Sequence, residues 1–368
     1  MGRSFVAVAA ALMGMAAASQ AVAQSVLEGG LGALEERVAA LEAALPGFLN
    51  PVSAITVDCT NDTIADALAE AAPGVPLTVT ITGTCTEDVV IERDDITLVG
   101  AAGNKSDVIV GGITIRAAQR VTVQDLTIRD GTTAPFASFP AGVFLTNAAS
   151  ATLQNLTVSG HLSTTGGSGV GIWVRWNSFV LMDDVDVTAP AGSEEAVLIT
   201  DGAGARIENS TLVSEESSPF HSAALGLFRS AHARVRNSTI NNTTAPEADL
   251  SKALAIMVTD TSNLRVQGGT NNVTGNVLIE SNSLADFRGV SFTGQTLIVS
   301  QSGATYSGDP SIDGDIFLQE QSTLQAFGAA DSVDVSGKVE CADASSGIVV
   351  AALDATGGVI VCTFLAGF

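Results

Sequence analysis

Eight side chains able to do acid–base or ion-binding chemistry fall in four short stretches: His161, then Glu194 and Glu195, then Glu215, Glu216 and His221, then Glu247 and Asp249. Two carboxylates facing each other across a sugar linkage can act as general acid and general base, and several together offer the oxygen ligands that calcium takes. Solvated loop charge accounts for the same residues in an acidic chain. A second group suits binding rather than turnover. Phe144 and Trp173 carry flat rings on which a sugar can stack, Arg175 lies two residues after Trp173, and Arg206, Arg234 and Arg265 recur at nearly regular intervals. The four cysteines are Cys59, Cys85, Cys341 and Cys362. They form no CxxC pair, so disulfides are preferred to zinc, and no metal ligand set is assigned. Of the three pairings, closeness in sequence favours Cys59–Cys85 and Cys341–Cys362, each worth about 3 kcal/mol in the chain-entropy account.

The chain that must position these groups has 368 residues, 39 of them acidic and 16 basic, for a net charge of −23. Such a balance repels nucleic acid and anionic membrane surfaces, and neither is expected as a partner. With 46% apolar residues a core can form, which excludes a disordered chain. Arg3, the apolar run from Phe5 to Ala18 and the tripeptide Ala21-Val22-Ala23 predict a secretory signal peptide over residues 1–23. The protein is therefore expected outside the cytoplasm, periplasmic or extracellular, where disulfides persist. No stretch reaches the roughly 18 apolar residues that a membrane span needs, so membrane insertion is not expected.

Residues 24–47 place Leu27, Leu31, Leu34, Val38, Leu41 and Leu45 at alternating spacings of four and three, the seam of a short coiled coil. Arg37 and Glu42 flank Val38 and Leu41, and the run RVAALE resembles the Arg-x-x-x-x-Glu pattern of short trimeric coiled coils. A lone amphipathic helix fits the same residues, since the run is short and Gly29, Gly30 and Gly32 weaken its start. Residues 48–76 read as a linker and a capping helix, with Ile64, Ala67, Leu68 and Ala71 at helical spacing and Pro73-Gly74 as the stop.

From residue 77 onward the chain repeats. Nine copies of 17 residues begin at Gly112, Gly142, Gly171, Ala196, Ala224, Ala255, Asn276, Thr296 and Asp315, and a shortened one at Asp88. The second and fourth residues of each copy are apolar, as in Ile113/Ile115 and Val143/Leu145, and alternation of period two in short runs predicts strands. The fourteenth residue is Asp125, Asn155, Asp184, Asn209, Asn237, Gly268, Gly289, Asp309 and Gly328 in turn. These are the types that tolerate the left-handed conformation, so every coil is expected to turn sharply at that point.

On these residues the chain resembles the right-handed parallel β-helix family of pectate lyases and phage tailspikes. The resemblance covers roughly residues 77 to 365, rests on pattern rather than on a catalytic motif, and implies an all-β fold of about ten rungs, closed by a C-terminal cap before residue 368. Pectate-lyase-like sites place several Asp around calcium on the outer face of the first strand; here that face is Thr114, Phe144, Trp173, Leu198, Gly226, Met257, Leu278, Ile298 and Phe317. Calcium is expected only if the protein is a lyase, and no cofactor otherwise. So apolar an outer face needs a cover. With the coiled coil upstream, a homotrimer packed along Leu198, Met257, Leu278, Ile298 and Phe317 is expected, as in the tailspike-like branch; a loop of the same chain is the alternative. The reading overall is a secreted trimeric structural, surface or adhesive protein binding a glycan through its corner loops. A polysaccharide lyase or hydrolase acting at those loops is the alternative.

Overall fold

The computed structural model describes residues 53–72, 74–129, 141–159, 169–190, 195–215, 223–244, 253–327 and 333–342, with short strands at 347–350, 353–355, 359–360 and 363–364. The segments read as signal peptide and coiled coil, including Leu34, Val38 and Leu41, lie outside these residues.

Alternation of period two produces strands throughout, and every pairing between them that joins one coil to the next is parallel, as in Ile113↔Val143, Ile172↔Val197 and Leu225↔Ile256. The first strands of successive coils form one sheet of twelve, running from Val89–Ile91 to Val359–Ile360. The second and third strands form a 22-stranded sheet that wraps the other sides. Twelve strands exceed the ten copies found in the sequence, because Val339–Cys341 and Val359–Ile360 sit on shorter, less regular repeats. The architecture is a parallel β-helix. Inward residues of all three strands make one continuous core, from Val57 and Ile64 at the N-terminal end to Val339 and Cys341.

Eight of the nine expected turn residues are described, and all eight adopt positive φ, between +48° at Asn155 and +72° at Gly268. Their amides bond along the stack: Asn155 Nδ2 donates to Asp125 Oδ1 at 2.5 Å, and Asn237 Nδ2 to Asn209 Oδ1 at 2.6 Å. A second corner, after the first strand, went unread in the sequence. There two consecutive residues take positive φ coil after coil: Asn147-Ala148, Trp176-Asn177, Asp201-Gly202, Arg229-Ser230, Asp260-Thr261 and onward to Glu320-Gln321.

The N-terminal end closes as expected, with one addition. A strand, Ala54–Asp58, precedes the helix and pairs with Leu77–Thr82. Helix α1, Ile64–Glu70, starts at Thr63, whose Oγ1 accepts from Asp66 N, and buries Ile64 and Ala67 in the core. Glu87 accepts from the amides of Ile64 and Ala65, and Arg93 donates to the carbonyls of Ala71, Ala72 and Val75, so both helix ends are satisfied from the first coil. The Cys59–Cys85 disulfide ties the same region. Cys341 is also oxidised; Cys362 lies outside the described residues.

One register expectation is overturned. Thr296 pairs with Val277 and Ile316, both inward, so Thr296 and Ile298 point into the core and Leu297 points out. Ile298 is fully buried in the main core and is not an outer or interface residue. The copy begins one residue earlier than its gapless alignment suggested, and a slip of one residue exchanges the two faces. An extra residue at the Gly308-Asp309 corner, both at positive φ, restores the phase by Ile312 and hides the slip.

Candidate functional site

Most of the residues proposed for chemistry lie outside the described residues: His161, Glu194, Glu216, His221, Glu247 and Asp249. Glu215 is described and exposed, just after the strand Thr211–Ser214. Glu195 is different. It is 1% exposed and enters the outer side of the first sheet just ahead of Val197–Thr200. A Cβ placed on Gly226 would come 3.1 Å from Glu195 Cγ and 2.8 Å from Phe228 Cε2, so the glycine makes room for the acidic side chain to lie across the sheet. Among the described residues no group of three or more His, Cys, Asp or Glu is placed to hold a metal ion.

The outer stripe of that sheet is sealed within one chain. Phe144 is 1% exposed, while Trp173, Leu198, Met257 and Leu278 are 6–7% exposed. They form two clusters bridged by the half-buried Phe228, one around Phe144, Trp173 and Leu198 and one around Met257 and Leu278. The rings of Phe144 and Trp173 pack on each other, centroids 5.1 Å apart, instead of facing solvent. Phe317 points outward as expected and is half-buried, with Lys338 Nζ 5.2 Å from its ring centre.

At the double-turn corner beside this stripe stands a polar cluster. Arg175 places its guanidinium 4.9 Å from the Trp173 ring and 3.8 Å from the Trp176 ring. Its Nε lies 3.6 Å from Asp201 Oδ2, and Arg229 Nη1 lies 3.0 Å from Asp201 Oδ1. Burial holds the Arg175 pKa below its ordinary value, with Asp201 opposing that shift. Trp173 Nε1 donates to Thr200 Oγ1, which donates to Asp201. Trp176, missed in the sequence, is 45% exposed with φ at +51°. The positive φ belongs to the double turn that coil after coil makes at this corner, so the exposed ring, not the backbone, sets Trp176 apart. The only signal available was Trp176-Asn177 occupying the position taken by Asn147-Ala148 one coil earlier.

The second sheet brings Arg206, Arg234 and Arg265 into one outward column, each in register with the next. Arg206 pairs with Glu208 at 2.6 Å and Arg265 with Asp286 at 3.1 Å. Arg234 meets a neutral partner: with the Gln267 amide oxygen turned toward it, that oxygen accepts from Nη2 at 2.7 Å and Nε at 3.1 Å. Phe179, 43% exposed, opens the adjacent column.

A family model described as the right-handed beta helix region matches residues 111–317, more than half of the chain. Among solved structures the chain is similar to the A-module of a mannuronan C-5 epimerase from Azotobacter vinelandii, at 15% identity over 80% of this chain and 92% of that one, with a TM-score of 0.39. No curated protein matches the chain.

Proposed function

Because the chain belongs to the right-handed β-helix family, we propose that it is an exported surface or adhesive protein whose coils form a scaffold for binding an extracellular glycan. Residues 1–23 direct export and residues 24–47 join three chains. The apolar stripe is closed inside each chain, so trimer contacts fall to the heptad positions Leu34, Val38 and Leu41 rather than to Leu198, Met257 and Leu278. A light-scattering mass of one chain for the mature protein would remove the trimer from this reading.

The observation that carries glycan binding is Trp176. Its indole is half-open at the corner after the first strand, with Arg175 against the ring and the Asp201–Arg229 pair beginning one coil away. An exposed flat ring beside fixed hydrogen-bonding charges is what a pyranose packs against. On a glycan array the mature protein should bind a defined saccharide set, and Trp176→Ala should weaken that binding at least tenfold. An array without binding by the wild type sinks the reading.

Glu195 favours a second reading, a polysaccharide lyase or hydrolase. A carboxylate laid against an apolar sheet is the kind of group such enzymes use as acid or base. Calcium enters only on this reading, where acidic corner residues would supply oxygen ligands. The wild type should then release reducing or unsaturated ends from a polysaccharide, and Glu195→Gln should abolish the release. Absence of turnover across a broad panel leaves the binding role alone.

A further inference from the structure

The N-terminal end of the coils leaves a sheet edge open. The strand Ala54–Asp58, β1, pairs with Leu77–Thr82 in the register Ala54↔Thr78 to Asp58↔Thr82, and among the described residues no strand lies on its other side. Ser53 O accepts from Thr78 N, and Cys59 N donates to Thr82 O. Successive residues of a parallel strand turn their backbone groups to opposite neighbours. Ile55 and Val57 therefore face Leu77–Thr82, while Ala54 and Thr56 aim their amides and carbonyls at the free edge. Both are exposed, and no described residue bonds to them there. Proteins usually blunt such an edge with lysine, proline, a bulge or a covering segment. β1 reads AITVD, with Ile55, Thr56 and Val57 β-branched in a row and its register unbroken. It is a template for one more strand.

The surface across from the edge selects which strand. Helix α1 and the turn before it face β1 over an open groove of about 530 Å³, within the size range of binding clefts. Ile55, Val57 and Ala67 line it with apolar surface, and Asp62, Asp66 and Glu70 line it with carboxylates. Asp66 and Glu70 stand one turn apart on α1, with Asp62 just ahead of it. All three are exposed, and among the described residues none pairs with a cation. Arg93, on the first coil, gives its Nη atoms to the carbonyls of Ala71, Ala72 and Val75 instead. Glu70 ends the helix, where negative charge opposes the dipole, and like charges four residues apart destabilise a helix. Folding gains nothing from this row, and cations laid against it would relieve the repulsion. A second copy of the same edge would add carboxylates to carboxylates. Charge complementarity therefore favours a basic strand from a different protein.

We propose that β1 and α1 form an acceptor slot for an extended basic segment of another protein, which joins β1 as an added strand. Side chains alternate along a strand, so every second residue of that segment points toward the helix. Lysine or arginine at those positions would lay its aliphatic stem on Ile55 and Ala67 and carry its charged head to Asp62, Asp66 and Glu70. The slot shares no residue with the Trp176 corner and does not depend on the glycan reading.

Fluorescence anisotropy with the full mature protein tests it. The probe is a labelled peptide of about six residues, the length of a short strand, alternating lysine with threonine. One control replaces lysine by glutamate. The other replaces threonine by proline, which keeps the charge but cannot donate to a ladder. The lysine–threonine peptide should bind, and both controls should bind at least tenfold more weakly. Hydrogen exchange at the amides of Ala54 and Thr56 should slow in the complex. Thr56→Pro removes an edge donor without touching the ladder to Leu77–Thr82 and should abolish binding. Asp62→Asn/Glu70→Gln leaves the backbone intact and should weaken binding at least tenfold while its Tm stays level or rises; it decides the matter if Thr56→Pro fails to fold. The proposal is overturned if the lysine–threonine peptide does not bind, or if the proline peptide binds equally well. Unchanged exchange at Ala54 and Thr56, or wild-type affinity in either folded variant, overturns it too. A concentration-dependent mass that Thr56→Pro abolishes would assign the edge to a second copy, and the proposal falls.

Discussion

Thr296 and Tyr306 meet inside the coil because a column otherwise filled by Val, Ile and Leu admits one hydroxyl there. Tyr306 is fully buried, stacks on Phe287 at 5.2 Å, and donates to Thr296 Oγ1 at 3.5 Å. Burial raises its pKa far above the ordinary value for tyrosine, with the Thr296 bond opposing weakly. Below a pH of about 10 both folded and unfolded chains keep this proton, so stability is unaffected there. Above it the unfolded chain ionises and the folded one does not, so stability falls as pH rises. Tyr306 is the only tyrosine in the sequence. Tyrosinate absorbance in an alkaline titration should therefore appear together with loss of far-UV signal; absorbance rising ahead of unfolding would refute the burial. Gly226 makes a second prediction at this scale. Gly226→Ala pushes a methyl against Phe228 and Glu195 and should cost about 1–3 kcal/mol. A thermal melt no lower than that of the wild type would show that Glu195 can swing away at no cost.

At the scale of the element, the slip at Thr296 makes two neighbouring leucine-like residues unequal. Ile298 is fully buried and Leu297 half-buried against the outer cluster. Ile298→Asp places a carboxylate in the core, where an unpaired charge costs several kcal/mol, and should abolish soluble expression. Leu297→Asp should fold with a modest loss of Tm. Equal behaviour of the two variants would restore the gapless register. Strands, coils and the Asp/Asn/Gly corner were legible because inward positions must be apolar and left-handed positions exclude most side chains. The double turn after the first strand was not legible, since its residues range from Trp176 to Glu320 and share a backbone shape rather than a residue type. The slip escaped notice because polar Thr296 stood at an inward position, matched by a hydroxyl supplied ten residues later. The candidate site was less legible than the fold. Glu195 and the arginine column were found from type and spacing, but Trp176 carries meaning only once its exposure is seen.

For the unit from Ser53 onward taken whole, coils contact chiefly their neighbours, so stability is nearly a sum of coil and interface contributions. The Cys59–Cys85 link closes a span of 26 residues at one end of that series. Breaking it with Cys59→Ser/Cys85→Ser should cost about 3 kcal/mol in the chain-entropy account. Hydrogen exchange should rise first over residues 54–82 and leave the central coils protected; uniform loss of protection would show that the coils unfold as one unit. The amide ladder at the left-handed corner has a slower consequence. Asparagine followed by serine ages by deamidation, when the next backbone nitrogen attacks the side-chain carbonyl. At Asn209 and Asn237 the side-chain amides are tied to Asp183 and Asn209, and the following nitrogens of Ser210 and Ser238 are held by Ser238 Oγ and Asn271 Oδ1. The ladder thus also slows chemical ageing of these asparagines, because it holds both the side-chain amide and the attacking nitrogen away from the geometry that reaction needs.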